Sequence, residues 1–172
     1  MSFEVDGYLV VRSAIEMEMI QNVETDISRE INVMEGMRSE QSFDEGAAFK
    51  LGWPQSCADI VSTFVKKTLP NLALKNRFLH LKSSELCLLF DRQKTVAVSP
   101  YGHTDIFVVI PIRNPASELY PKLYESDENQ CKEVRLELGD IMIRDGRMGL
   151  LYPAMERQLL TLFVCLHYSV NV

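Results

Sequence analysis

Three consecutive residues, His103, Thr104 and Asp105, head the apolar run DIFVVIPI and hold the clearest chemical possibility in the chain. On an extended strand side chains alternate with a period of two, so His103 and Asp105 fall on one face. An imidazole and a carboxylate converging on one point supply two of the three ligands of a facial triad, the arrangement that holds Fe(II) with positions left open. The plainer reading stands beside it: His103 as a polar strand-entry residue and Asp105 as a turn cap. The other two histidines are His80, which alternates with Phe78 and Lys82 and reads as a core residue, and His167 in LFVCLHYSV.

Composition bounds what surrounds this pair. With 172 residues, 47% hydrophobic and 24% charged, the chain is long enough for one buried core and short for two. The expectation is one domain over residues 1–172, helical to about residue 70 and β-rich over about 75–172. A net charge of −6, with no basic run longer than Lys66-Lys67, argues against nucleic acid as the main partner. No stretch reaches the apolar length of a membrane span, and acidic residues stand where a signal peptide needs basic ones. A soluble cytoplasmic protein is expected. Cys57, Cys87, Cys131 and Cys165 are widely spaced, without a Cys-X-X-Cys, and read as free, mostly buried thiols.

The elements that must position the pair follow from periodicity. From Glu16 to about Met34, apolar Met17, Ile20, Val23, Ile27, Ile31 and Met34 recur at helical steps. A second helix is expected from Gln55 to about Lys67, stopped by Pro70-Asn71. The intervening MEGMRSEQSFDEGAAFKLGWPQ reads as a long loop, with Trp53 either lining a binding mouth or plugging the core. EVDGYLVVRSAI fits a short strand. RFLHLKSSELCLLF, KTVAVS, DIFVVIPI, KEVRLEL, DIMIRD and RQLLTLFVCLHYSV read as antiparallel strands. The last is expected to be a central buried strand. Helices first and strands after predict an α+β fold, with the amino-terminal helices packed on one sheet of a double-sheet jelly roll.

On FEVDGYLVVRSAI, GHTD, and VRLELGDIMIRDGR followed by ERQLL, the chain resembles the Fe(II)/2-oxoglutarate-dependent oxygenase superfamily, and within it looks most like the phytanoyl-CoA dioxygenase branch. The resemblance covers nearly the whole length. It implies a double-stranded β-helix of cupin-like form, Fe(II) and 2-oxoglutarate as cofactors, His103 and Asp105 as metal ligands, and Arg157 as partner of the 2-oxoglutarate distal carboxylate. An arginine fork suits a carboxylate because it forms two parallel hydrogen bonds. Arg157 as half of a surface ion pair with Glu156 is the alternative.

The chain departs from that pattern in two places. A third ligand, a histidine, belongs shortly before the cosubstrate arginine, but DGRMGLLYPAMER has none, and Met148, Gly149 or Leu150 falls there. His167, ten residues beyond Arg157, needs an unusual strand geometry to replace it. The segment RNPASELYPKLYESDENQCKEV is short for the family and reads as an exposed hairpin or crossover, leaving an open site. Two function classes follow: an oxygenase acting on a small organic substrate, and a pseudo-oxygenase kept as a binding or self-associating module.

Overall fold

The computed structural model describes residues 7–38, 48–72, 78–89, 96–98, 105–113, 120–125, 130–152 and 161–171. Among them stand two α-helices and ten strands in two antiparallel sheets, an α+β arrangement. Helix α1 (Met17–Arg38) buries Ile20, Val23, Ile27 and Ile31, as the apolar spacing demands. Met17 breaks the expected stripe: it lies in the first turn and is 46% exposed. Helix α2 (Gln55–Thr63) follows Pro54 and does not run regularly to Lys67. It widens into a π turn, Phe64–Thr68, and tightens into a 3₁₀ turn, Leu69–Asn71, at the expected stop. Ile60 and Phe64 still reach the core, and the Ser56 hydroxyl donates to Asp26 across the two helices at 2.6 Å.

The larger sheet has the order β1-β8-β5-β10-β3-β2 and the smaller β4-β9-β6-β7. The strands are β1 (Tyr8–Val11), β2 (Ala48–Leu51), β3 (Phe78–Leu89), β4 (Val96–Val98), β5 (Asp105–Arg113), β6 (Lys122–Tyr124), β7 (Lys132–Glu133), β8 (Ile141–Asp145), β9 (Gly149–Tyr152) and β10 (Thr161–Asn171). Strand β10 lies between β5 and β3 with Val164 and Leu166 fully buried, the central position expected of the carboxy-terminal run.

Three strands correct the sequence reading. The expected long loop contains β2, which pairs with β3 from Ala48↔Leu89 to Leu51↔Leu86. The segment read as exposed forms a hairpin, β6 against β7, but Tyr120, Leu123 and Tyr124 are buried. KEVRLEL is a strand only at its first two residues; beyond them the Val134 amide still donates to the Pro121 carbonyl at 2.9 Å, and Val134 and Leu136 are buried.

Alternation divides the larger sheet between two cores. One face of β5 (Ile106, Val108, Ile110, Ile112), with Leu86, Leu88, Ile141, Ile143, Val164 and Leu166, packs against the helices. The opposite face contributes Tyr8, Cys87, Val109, Met142 and Phe163, which cluster with Leu123, Leu150 and Tyr152 of the smaller sheet. The Gly-Asp before β8 fastens this frame. Gly139 has φ +90, and its carbonyl accepts from the Ile15 amide at 2.9 Å. Buried Asp140 accepts from Arg12 at 2.5 Å and from the backbone amides of Ser13 and Glu137 at 3.0 Å each. One carboxylate thus joins the β1–α1 connection to the entry of β8.

Candidate functional site

Asp105 opens β5 and is 5% exposed, with its side chain on the face turned toward the smaller sheet, as the alternation with Ile106 in the helix-side core requires. Its carbonyl accepts from the Gly146 amide at 2.7 Å, which fixes the strand's first residue against the β8–β9 turn. Its Oδ1 meets two nitrogens: His167 Nε2 at 3.1 Å and Lys82 Nζ at 3.4 Å.

Both contacts depend on an irregularity in pairing. Strand β10 matches β3 residue for residue from Asn171↔Phe78 to Tyr168↔Leu81, then steps to His167↔Ser83, leaving Lys82 with no residue opposite. A bulge of this kind bends the strand and re-aims side chains. Here it delivers Lys82 from β3 to the carboxylate on β5. His167 arrives from the strand between them.

A row of inward residues crosses the sheet at this level: Ser83, His167, Phe107, Arg144 and Tyr8 are successive register partners on β3, β10, β5, β8 and β1. The His167 ring stacks on Phe107 with centroids 4.5 Å apart and planes 14° from parallel. The Arg144 guanidinium lies 4.3 Å from the Phe107 centroid. Burial pushes the Arg144 pKa below its ordinary value, against the opposing influence of Cys165, Tyr152, Tyr124 and Asp145. Its Nη1 donates to the Met148 carbonyl.

Where the sequence pattern calls for a third ligand, the interior is apolar and full. Leu150 is 3% exposed in the inter-sheet core, and Tyr152 beside it stacks on Phe163 at 5.5 Å. Gly149 lies under the ring of Tyr124, so that an added Cβ would be 2.1 Å from Tyr124 Cζ. No larger residue fits there without moving the phenol.

Of the residues singled out in the sequence, Asp105 and His167 are brought together, while His103 and Arg157 lie outside the described residues. His80 is exposed on β3 and is not the core histidine expected. Trp53, 38% exposed between β2 and α2, does not plug the core. Cys57 and Cys87 are buried free thiols, and burial pushes both up to about 12, away from thiolate chemistry. Sequence reasoning missed Lys82 and Arg144. Arg144 carried one usable signal, a charge directly after the apolar run Ile141-Met142-Ile143. Among the described residues no group of three His, Cys, Asp or Glu side chains stands close enough to hold a metal, and no helix is long and apolar enough to cross a membrane.

Neither a protein-family model nor a curated protein matches the sequence. Solved structures do. HygX from Streptomyces hygroscopicus, with nickel and 2-oxoglutarate bound, has a TM-score of 0.69 to this chain at 8% identity, covering 97% of this chain and 84% of its own. The non-heme alpha ketoglutarate dependent epimerase SnoN from nogalamycin biosynthesis gives 0.65 at 11% identity, over 97% and 77%. A Pseudomonas putida prolyl-4-hydroxylase gives 0.57 at 7% identity, over 99% and 96%. The chain has the fold of the Fe(II)/2-oxoglutarate-dependent oxygenases. At these identities the likeness is one of fold, and activity has to be argued from the site.

Proposed function

We propose that the chain is a divergent metal-dependent oxygenase of the Fe(II)/2-oxoglutarate type, a single jelly-roll domain whose metal ligands are His103, Asp105 and His167. The observation that carries this reading is the 3.1 Å between His167 Nε2 and Asp105 Oδ1. With metal–ligand distances of about 2.1 Å, two ligand atoms at right angles around a divalent ion stand about 3.0 Å apart. The donor set therefore fits a metal, one imidazole and one carboxylate at the spacing of adjacent ligands. His103, two positions before Asp105 in the sequence, is assigned as the remaining ligand on that spacing alone. His167 on β10 takes the part that the apolar stretch around Leu150 cannot.

Fe(II), when bound, supplies the redox chemistry by which 2-oxoglutarate and dioxygen oxidise a small organic substrate. The protein's own contribution is placement. The bulge at His167 and the amide of Gly146 fix the ligands, Phe107 holds the imidazole plane by stacking, and the inter-sheet core keeps the surroundings dry. Arg157 is assigned to the 2-oxoglutarate distal carboxylate, and the phytanoyl-CoA dioxygenase branch and a cytoplasmic location belong to the same reading.

A second reading, a pseudo-oxygenase serving as a binding or self-associating module, is favoured by Lys82, whose ammonium already offers Asp105 a counter-charge at 3.4 Å. Calorimetric titration with Fe(II) or Mn(II) separates the two. The oxygenase reading expects binding by the wild type that falls by roughly tenfold or more in both His103→Ala and His167→Ala, together with metal-dependent succinate formation from 2-oxoglutarate. Binding unchanged in His167→Ala would remove that residue from the site. Absence of binding in the wild type would leave the module.

A further inference from the structure

Two thiols share the inter-sheet face of the larger sheet, apart from the Asp105–His167 pair. Cys87 on β3 stands opposite Phe163 of β10, and Cys165 of β10 stands opposite Glu85 of β3, so the two cysteines are diagonal neighbours on adjacent strands. Cys87 belongs to the inter-sheet core and Cys165 packs against it, which puts both side chains on one face. Both are free, and the carboxylate opposite Cys165 is engaged elsewhere: Glu85 accepts from Lys50 at 2.6 Å.

Spacing limits what the pair can do. Diagonal neighbours stand about 7–8 Å apart at Cα, wider than the roughly 4.4–6.8 Å that a disulfide bridges. Two metal–sulfur bonds in line place the sulfurs about 4.5 Å apart, a span that two cysteine side chains leaning together across the diagonal match. Among the described residues no group of three His, Cys, Asp or Glu side chains could hold a metal, so an ion that demands four ligands is not served. Paired soft thiolates suit Cu(I), which accepts two in a linear arrangement. Charge supplies an independent observation. Arg144 on β8 is 3% exposed, its Nε has no hydrogen-bond partner, and Cys165 is the neighbour that most strongly offsets the downward push of burial on this guanidinium. A buried cation with an unmet donor is costly unless an anion accompanies it. Two neutral thiols supply none, whereas two thiolates around a monovalent ion carry one net negative charge.

We propose that Cys87 and Cys165 form a two-coordinate site for a soft monovalent cation, Cu(I), with Arg144 as the counter-charge of the bis-thiolate. On binding, two S–H bonds break, two Cu–S bonds form and two protons leave to solvent, the copper remaining Cu(I). Burial disfavours free thiolates here, but a coordinating cation replaces the thiol protons outright. Cys165, partly exposed, gives the ion its way in. The site does not rest on the function proposed above.

The test titrates full-length, reduced protein with Cu(I) under anaerobic conditions against bicinchoninate, a chromogenic Cu(I) chelator. The wild type is expected to take a single Cu(I) from the chelator, and X-ray absorption to show two sulfur neighbours. Cys87→Ala and Cys165→Ala should each lose affinity by more than the roughly tenfold that Arg144→Met loses as an outer partner. Cys57→Ala and Cys131→Ala should bind as the wild type does. Mn(II) binding should be the same in Cys87→Ala as in the wild type, so failure of this site and failure of the iron site give different results. No uptake by the wild type, fewer than two sulfur neighbours, or unchanged uptake by a folded Cys87→Ala or Cys165→Ala overturns the proposal. Uptake that disappears in Cys131→Ala would move the ion to another thiol and overturn it likewise, and unchanged uptake by Arg144→Met would remove the counter-charge.

Discussion

Replacing Lys82 by methionine should change metal affinity and stability in opposite directions. The Lys82 ammonium lies 3.4 Å from Asp105 Oδ1, and its side chain is 47% exposed against 7% for Asp105. At an effective dielectric near 20, unit charges at that distance interact by about 5 kcal/mol. Solvent around a half-exposed lysine and the entropy of holding it reduce the net value to about 1 kcal/mol. A divalent ion bound by Asp105 has to displace this ammonium or tolerate its repulsion, so Lys82→Met should tighten Mn(II) binding by roughly five- to tenfold. Without metal, the buried carboxylate loses a counter-charge, and the variant should be less stable by about 1–2 kcal/mol. For a chain of this length that is a fall in Tm of about 3–8 °C. Calorimetry gives the first quantity and thermal unfolding in chelator the second. Metal binding that is unchanged or weaker in a folded Lys82→Met would refute the idea that the lysine and a metal compete for Asp105.

Gly149→Ala places a methyl 2.1 Å from Tyr124 Cζ and should cost about 1–3 kcal/mol by forcing the phenol aside, measured by chemical denaturation; an unperturbed midpoint would mean that the β6–β9 packing is looser than described. Asp140→Ala removes the acceptor shared by Arg12, Ser13 and Glu137 and should cost about 3 kcal/mol, nearly all from the two backbone amides because the Arg12 side chain is 57% exposed. A loss under about 1 kcal/mol in the same assay would show that water replaces the carboxylate. Cys57 and Cys87, pushed up by burial to about 12, should react with a thiol reagent at mild alkaline pH only after unfolding. Their linkage has a sign: unfolded thiols ionise above 9.0 while folded ones stay protonated to about 12, so stability is full below 9.0 and declines as pH rises through that window. Fast reaction of both in the native state would contradict their burial.

Local periodicity made much of the frame legible. The spacing of Ile20, Val23, Ile27 and Ile31 marks the buried stripe of α1, and the largely apolar run of β10 marks a strand central to its sheet. The alternation that begins at Asp105 put its carboxylate on the interior face before any partner strand was known. Those features depend on residues a few positions apart, and the backbone's own repeat decides them. Strands β2, β6 and β9 escaped because each is three or four residues long and is held by partners far away in sequence, with little periodicity of its own.

The site itself required the tertiary structure. His167 reaches Asp105 only because β10 pairs with β5 in the register Ser169↔Asp105 and His167↔Phe107, and Lys82 reaches it only because β3 is bulged against His167. Arg144 enters the same row through the pairing of β8 with β5. Register is settled by which buried faces must match across strands dozens of residues apart, and a slip of one residue would turn every one of these side chains to the helix side. From its own residues the chain determines that a carboxylate faces inward at the head of β5; the imidazole and the ammonium that meet it, and the guanidinium on the neighbouring strand, are placed there by long-range pairing.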